Sequence, residues 1–170
     1  MQEQKGFSLI ELLIVVAIIL VIAAIAIPNL MRARMSANDS SAAASVRMIN
    51  TAEYSYNATY PSIGYPLALT TLGGPAPCSP GVATACLIDN YLATNGGGSG
   101  KSGYSFNVIG SASAGSASND QYFVTGAPLG TTSGSRSYCS VEDAVIRLQP
   151  SGTTTVVPSR ATCQTLNSMQ

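Results

Sequence analysis

Residues 12–27 read LLIVVAIILVIAAIAI, sixteen consecutive apolar side chains. With the positions on either side, residues 7–31 form a stretch whose sole charge is Glu11. An α-helix of about 20 such residues crosses a bilayer core of about 30 Å. The run has no polar face, which excludes an amphipathic surface helix. A core helix apolar on every side needs a large domain around it, and the rest of this chain is too short and polar to enclose one. A secretory signal is the stronger rival, because Lys5 supplies a short basic region and Ala24-Ile25-Ala26 fits a small-x-small cleavage pattern. Against it stands Glu11, a carboxylate near the start of the apolar core, where charge is expensive. Lys5 and the amino terminus oppose Arg32 and Arg34 across the run, so charge alone does not set its orientation.

The remaining composition removes whole classes of function. Eight Lys/Arg and eight Asp/Glu cancel, and only 9% of the 170 residues are charged. Such a chain has no field to attract nucleic acid, so dedicated nucleic-acid binding is not expected. There is no histidine, which removes Ser/His/Asp and Cys/His catalysis, His-ligated metals and haem attachment together. No nucleophile–base pair or metal set supports an enzyme, and no cofactor or metal is expected.

Gly6-Phe7-Ser8-Leu9-Ile10-Glu11-Leu12, followed by the apolar run and Pro28, resembles the N-terminus of the type IV pilins and their pseudopilin relatives. In that family a short leader ends in Gly, the next residue becomes the mature N-terminus, and a Glu lies four residues further on. The resemblance covers about the first thirty-five residues and implies leader cleavage between Gly6 and Phe7 by a prepilin peptidase. It also implies N-methylation of the Phe7 amine. A lone carboxylate in hydrocarbon must pair, protonate or draw in water. The Phe7 amine released by cleavage is a cation, and Glu11 is expected to pair with that amine on a neighbouring subunit, setting the axial stagger between helices. An intramolecular pair is also within reach, since residues four apart differ by about 6 Å along a helix. A side chain snorkelling at the interface is the plain alternative. Pro28 lacks an N–H, so the carbonyl of Ala24 loses its helical partner and the helix kinks or loosens there.

Beyond Pro28 the pattern turns amphipathic. Met35, Ala42, Val46, Ile49, Ala52 or Glu53, Tyr56 and Tyr60 recur at three- or four-residue spacing. Asn38, Asp39, Ser45, Arg47 and Asn50 are expected on the opposite face, and residues 36–41 (SANDSS) are the weak point of the helix. Tyr60 precedes Pro61, which ends it. A helix over residues 7–60 would reach about 80 Å. Residues 61–103 read as loop, with five prolines and a glycine tract. Strands are expected at residues 104–109 and 121–125, and residues 137–141 and 144–148 flank Glu142-Asp143 as a hairpin. Residues 153–157 offer an edge. The expected fold class is α+β: a long N-terminal helix, apolar then amphipathic, on a small antiparallel sheet of about four strands. This order agrees with the type IV pilin fold. The segments are then a leader (1–6), a transmembrane or filament-core helix (7–31), an amphipathic helix half (32–60), an αβ loop (61–103) and a β-sheet head (104–170).

Cys78, Cys86, Cys139 and Cys163 contain no CxxC, and thiolate metal sites want closer spacing or histidine. Disulfides place the head in the periplasm or outside the cell, which also orients the helix. Three pairings are open; Cys78–Cys86, a short staple, and Cys139–Cys163 are favoured. The second resembles the loop-closing disulfide of many pilins.

Two local patterns carry no chemistry. Gly100-Lys101-Ser102 ends like a phosphate-binding loop, but Asn95 stands where the first glycine is needed and no helix pattern follows. Glu142-Asp143 reads as solvated charge at a turn. Serine-, threonine- and glycine-rich stretches at residues 111–118 and 131–137 read as exposed loops. No aromatic residue lies between Phe7 and Tyr54, so stacked core aromatics for conduction are unsupported.

The resemblance implies a structural subunit that polymerises through its apolar helices into an extracellular homopolymer. Lipid holds the monomers, because it satisfies the same apolar surface that the filament core later does. An inner-membrane assembly platform and motor and an outer-membrane secretin are implied partners. The precursor would sit in the inner membrane with its head in the periplasm. A type II secretion pseudopilin or minor pilin is the near alternative. A secreted or membrane-anchored binding domain with an ordinary signal peptide is the distant one.

Overall fold

In the computed structural model, residues 7–150 and 152–169 are described. The expected leader, residues 1–6 with its terminal Gly6, lies outside the described residues. The chain divides into two compact units, Met1–Arg34 and Met35–Gln170. The bounds of helix α1, Leu9–Thr59, cross that division.

In the first unit, every residue from 7 to 30 except Ala23 is exposed, and Ala23 is partly so. The helix here is long and apolar enough to cross a membrane, with none of its most apolar window buried. This stretch is rich in Val and Ile, which are weak helix formers in water. In hydrocarbon a backbone has no other way to satisfy its polar groups, so such a sequence would be held helical by a bilayer. The helix continues through Pro28.

The second unit is α+β and pilin-like: the rest of α1 packs on an open, antiparallel sheet with strand order β1-β2-β3-β4-β5. The strands are β1 Tyr104–Ser111, β2 Gln121–Pro128, β3 Tyr138–Val141, β4 Arg147–Leu148 and β5 Asn167–Ser168. Alternation along β1 sends Tyr104, Phe106 and Val108 inward and leaves Ser105, Asn107 and Ile109 exposed. Strand β2 is buried on both faces. Tyr122 and Val124 join Val46, Ile49 and Tyr56 of α1 in the main core. Phe123 joins Cys139, Val141, Val157 and Cys163 in a second core on the other face. The sheet is therefore a layer between α1 and the C-terminal segment, whose short helix α4 is Arg160–Gln164.

Four differences from the sequence reading have physical causes. The sheet has a fifth strand beyond the roughly four expected, and it comes from Asn167–Ser168 rather than from residues 153–157. Val157 instead turns its side chain into the second core. Residues 61–103 are not all loop: Leu69–Leu72 forms α2, Asn90–Ala93 forms α3, and Gly96–Gly98 a 3-10 turn. Each single-turn helix buries a pair, Leu69 with Leu72 and Leu92 with Ala93. Asp89 caps α3 by accepting from the N–H of Leu92 at 2.8 Å. The expected polar face of α1 is also only partly polar in its surroundings, because Ser45 and Asn50 are buried and Asp39 is half-buried. Residues 36–41 stay helical, and partners in the head offset their poor propensity.

Candidate functional site

Two regions hold residues singled out by the sequence. The first is the start of α1. Ser8 stands just before the helix, and its carbonyl accepts the N–H of Leu12 at 3.3 Å. Glu11, three residues on, reaches back so that one carboxylate oxygen accepts the N–H of Ser8 at 2.9 Å. This is half of a capping box: it satisfies a backbone donor that the helix leaves orphaned. This local bond lies outside the pairing and snorkelling expected of Glu11, although Ser-x-x-Glu before an apolar run is its signature. Phe7 is 87% exposed, so the group that would become the amino terminus is open to a partner. Around these residues the helix offers apolar surface without interruption as far as Ile27.

The second region is the seat of α1 on the head. The carboxylate of Asp39 accepts from the Ser135 N–H at 3.0 Å and from the Ser135 hydroxyl at 2.5 Å. The side-chain amide of Asn38 donates to the carbonyl of Ser133 at 2.7 Å. About three turns further on, the Asn50 amide donates to the Ser140 hydroxyl at 2.8 Å and accepts from the Tyr122 hydroxyl at 3.2 Å. The Tyr54 hydroxyl donates to the carbonyl of Glu142. These polar residues lock the register of the helix against β2, β3 and the turn after β3. Sequence periodicity cannot mark them, since their partners lie some ninety positions away.

The disulfides Cys78–Cys86 and Cys139–Cys163 close with Cα–Cα separations of 6.0 and 5.9 Å. The first staples the segment after α2. The second, fully buried, ties α4 to β3. Glu142 and Asp143 are not free charges at their turn. Arg160 pairs with Glu142 at 2.7 Å, and Arg147 pairs with Asp143 at 2.5 Å. Hydrogen bonding by Arg147 holds the Asp143 carboxyl below its ordinary range. Among the described residues no cluster of His, Cys, Asp and Glu is arranged to hold a metal.

Residues 1–27 match the family model of the prokaryotic N-terminal methylation motif. The type IV wide pilus major component PilA4 of Thermus thermophilus is 64% identical over 39 residues. That match covers 23% of this chain and 30% of the relative. No solved structure matches the chain. The N-terminal segment is therefore type IV pilin-like and carries the methylation motif of a type IV prepilin.

Proposed function

We propose that this chain is the structural subunit of a type IV pilus and polymerises through its N-terminal helix into an extracellular filament. The observation that carries this reading is a methylation-motif helix, apolar on every face and exposed along residues 7–30 save for partial cover at Ala23, with one carboxylate at its start. The name of the Thermus relative describes a major component of a wide pilus, and a filament subunit is the part assigned to this chain.

In this reading a prepilin peptidase cuts between Gly6 and Phe7, and the Phe7 amine is methylated. The precursor waits in the inner membrane with its disulfide-tied head in the periplasm. A membrane platform, a motor and a secretin then carry the subunits outward, and the filament serves motility, adhesion or DNA uptake. Lipid and the filament core are equally apolar, so association is driven by packing and by removal of polar mismatch rather than by dehydration. Ala17, Ala23, Ala24 and Ala26 let helices approach closely. Glu11 supplies the polar term. One oxygen already accepts from Ser8, and the other remains for the Phe7 ammonium of the next subunit, fixing the stagger. Pro28 frees the Ala24 carbonyl, so residues 24–28 are where the helix gives when subunits pack.

The segment roles follow the same division: residues 7–31 as anchor and filament core, 32–60 as the amphipathic half, 61–103 as the αβ loop and 104–170 as the head. Electron microscopy of material sheared from cells tests the proposal. Filaments that contain this chain, and vanish when its gene is deleted, support it. Recovery of the chain only in membranes or as free monomer, with surface filaments unchanged by the deletion, overturns it.

A further inference from the structure

Glu53 is the anomaly of the head. It lies on α1 at a position of the apolar stripe, its relative exposure is 0%, and neither carboxylate oxygen has a hydrogen-bond partner among the described residues. None of the three salt bridges among the described residues includes it. A buried ionised carboxylate without a partner is among the least tolerable groups in a protein interior, whereas the neutral acid costs far less to bury.

Among the described residues the titratable groups that respond to Glu53 are tyrosines, and the cation near this set, Arg160, is already paired with Glu142 at 2.7 Å. Tyr56 lies on the same helix, Tyr65 comes from the segment after α1, and Tyr122 comes from β2. Glu53 acts electrostatically on all three, Tyr60 also acts on Tyr56, and Tyr54 and Glu142 act on Tyr65 and Tyr122. The rings of Tyr65 and Tyr122 lie 4.7 Å apart, and Tyr54 meets both edge-on at 6.2 and 6.3 Å. The main core's residues from α2 and α3, Leu69, Leu72, Leu92 and Ala93, are apolar. Glu53 and the tyrosines it acts on are all acids, so a negative charge on one raises the cost of a second.

We propose that Glu53 is a proton switch in the head: it stays protonated while α1 is seated on the sheet, and its ionisation loosens that seat. Burial pushes its carboxyl from 4.5 up to about 8. The folded chain therefore holds this proton more tightly than the unfolded chain. The associated stability is fully present below pH 4.5, declines as pH rises, and is gone above about pH 8. Acidic surroundings favour the seated helix, and the preference fades through neutral pH and is lost in alkaline conditions. The inference concerns the head alone and does not depend on the filament reading.

The full chain in detergent micelles, with its glutamates carrying ¹³C at the side-chain carboxyl, gives the direct test. The four glutamates are Glu3, Glu11, Glu53 and Glu142. One carboxyl signal from the head is expected to remain at its protonated position at pH 7 and to be absent in Glu53→Gln. Melting of the tyrosine near-ultraviolet signal is expected to fall by about 10 °C between pH 5 and pH 8 in the native chain. In Glu53→Gln that fall should be largely lost. A Glu53 signal that titrates in the ordinary carboxylate range, or an equal fall in both proteins, overturns the proposal. Should Glu53→Gln fail to fold, Glu3→Gln, Glu11→Gln and Glu142→Gln assign the signal by elimination, and its titration in the native chain decides.

Discussion

The Tyr104 hydroxyl lies 2.5 Å from the carboxylate of Asp39, joining the first residue of β1 to a turn of α1 sixty-five positions earlier. The same hydroxyl is 2.8 Å from the carbonyl of Arg136. Tyr104 is fully buried, and burial followed by the Asp39 hydrogen bond pushes its hydroxyl well above the ordinary tyrosine range. Asp39 thus gathers β1 and the segment before β3 onto the helix at the end of the head nearest residue 35.

Removing either partner separates this polar latch from mere packing. Tyr104→Phe keeps the ring and is expected to lower head stability by about 1 kcal/mol, the usual value of one net hydrogen bond. Asp39→Ala also strips acceptors from Ser135 and is expected to cost about 2–3 kcal/mol. Chemical unfolding of the full chain in detergent, followed by tyrosine circular dichroism, measures both. Equal losses from the two variants would show that the Ser135 bonds add nothing.

The two disulfides close loops of different length, with sequence separations of 8 and 24. Loop-closure entropy gives about 2.6 kcal/mol for the shorter and about 3.5 kcal/mol for the longer. Replacing Cys139 and Cys163 together by Ala is therefore expected to destabilise the head more than replacing Cys78 and Cys86. The gap widens further because Cys139 and Cys163 sit in the second core with Phe123 and Val141. Differential unfolding of the two double variants checks the order, and a larger loss from the short staple would contradict it.

The legible parts of this chain are those where a period or a breaker is local. The apolar run from Leu12 marks the first unit, Pro61 limits α1, and the Tyr/Phe/Val alternation from Tyr104 announces β1. Periodicity puts Asn50 on the outer face, because a polar residue on an amphipathic helix is expected to meet water. Its burial is decided by Ser140 and Tyr122, whose positions no window around Asn50 contains. Strand β5 is only two residues long, too short for an alternation to register. The expected stripe did include the alternative of Ala52 or Glu53, and both are buried. Spacing located Glu53 correctly, while its lack of partners is a tertiary property.

Variants of Glu11 separate its bond to Ser8 from its charge. Glu11→Gln keeps an acceptor oxygen for the Ser8 N–H, whereas Glu11→Ala removes acceptor and charge together. Both are expected to insert into the membrane, since neither adds charge to the run. If the carboxylate pairs with a neighbouring Phe7 amine, both lower filament yield at least about tenfold, the equivalent of about 1.4 kcal/mol per docking step. Normal assembly by Glu11→Gln beside failure of Glu11→Ala would assign Glu11 to capping alone. Quantifying sheared filaments against membrane-held subunit reads the difference.

The most direct test of the account is the mass of the N-terminal peptide of this chain taken from cells that display it. A peptide beginning at Phe7 with a methylated amine, recovered from surface filaments, is the predicted result. A peptide beginning at Ile27, recovered from freely dissolved monomer, would mean that the apolar run was discarded as a signal and never held subunits together.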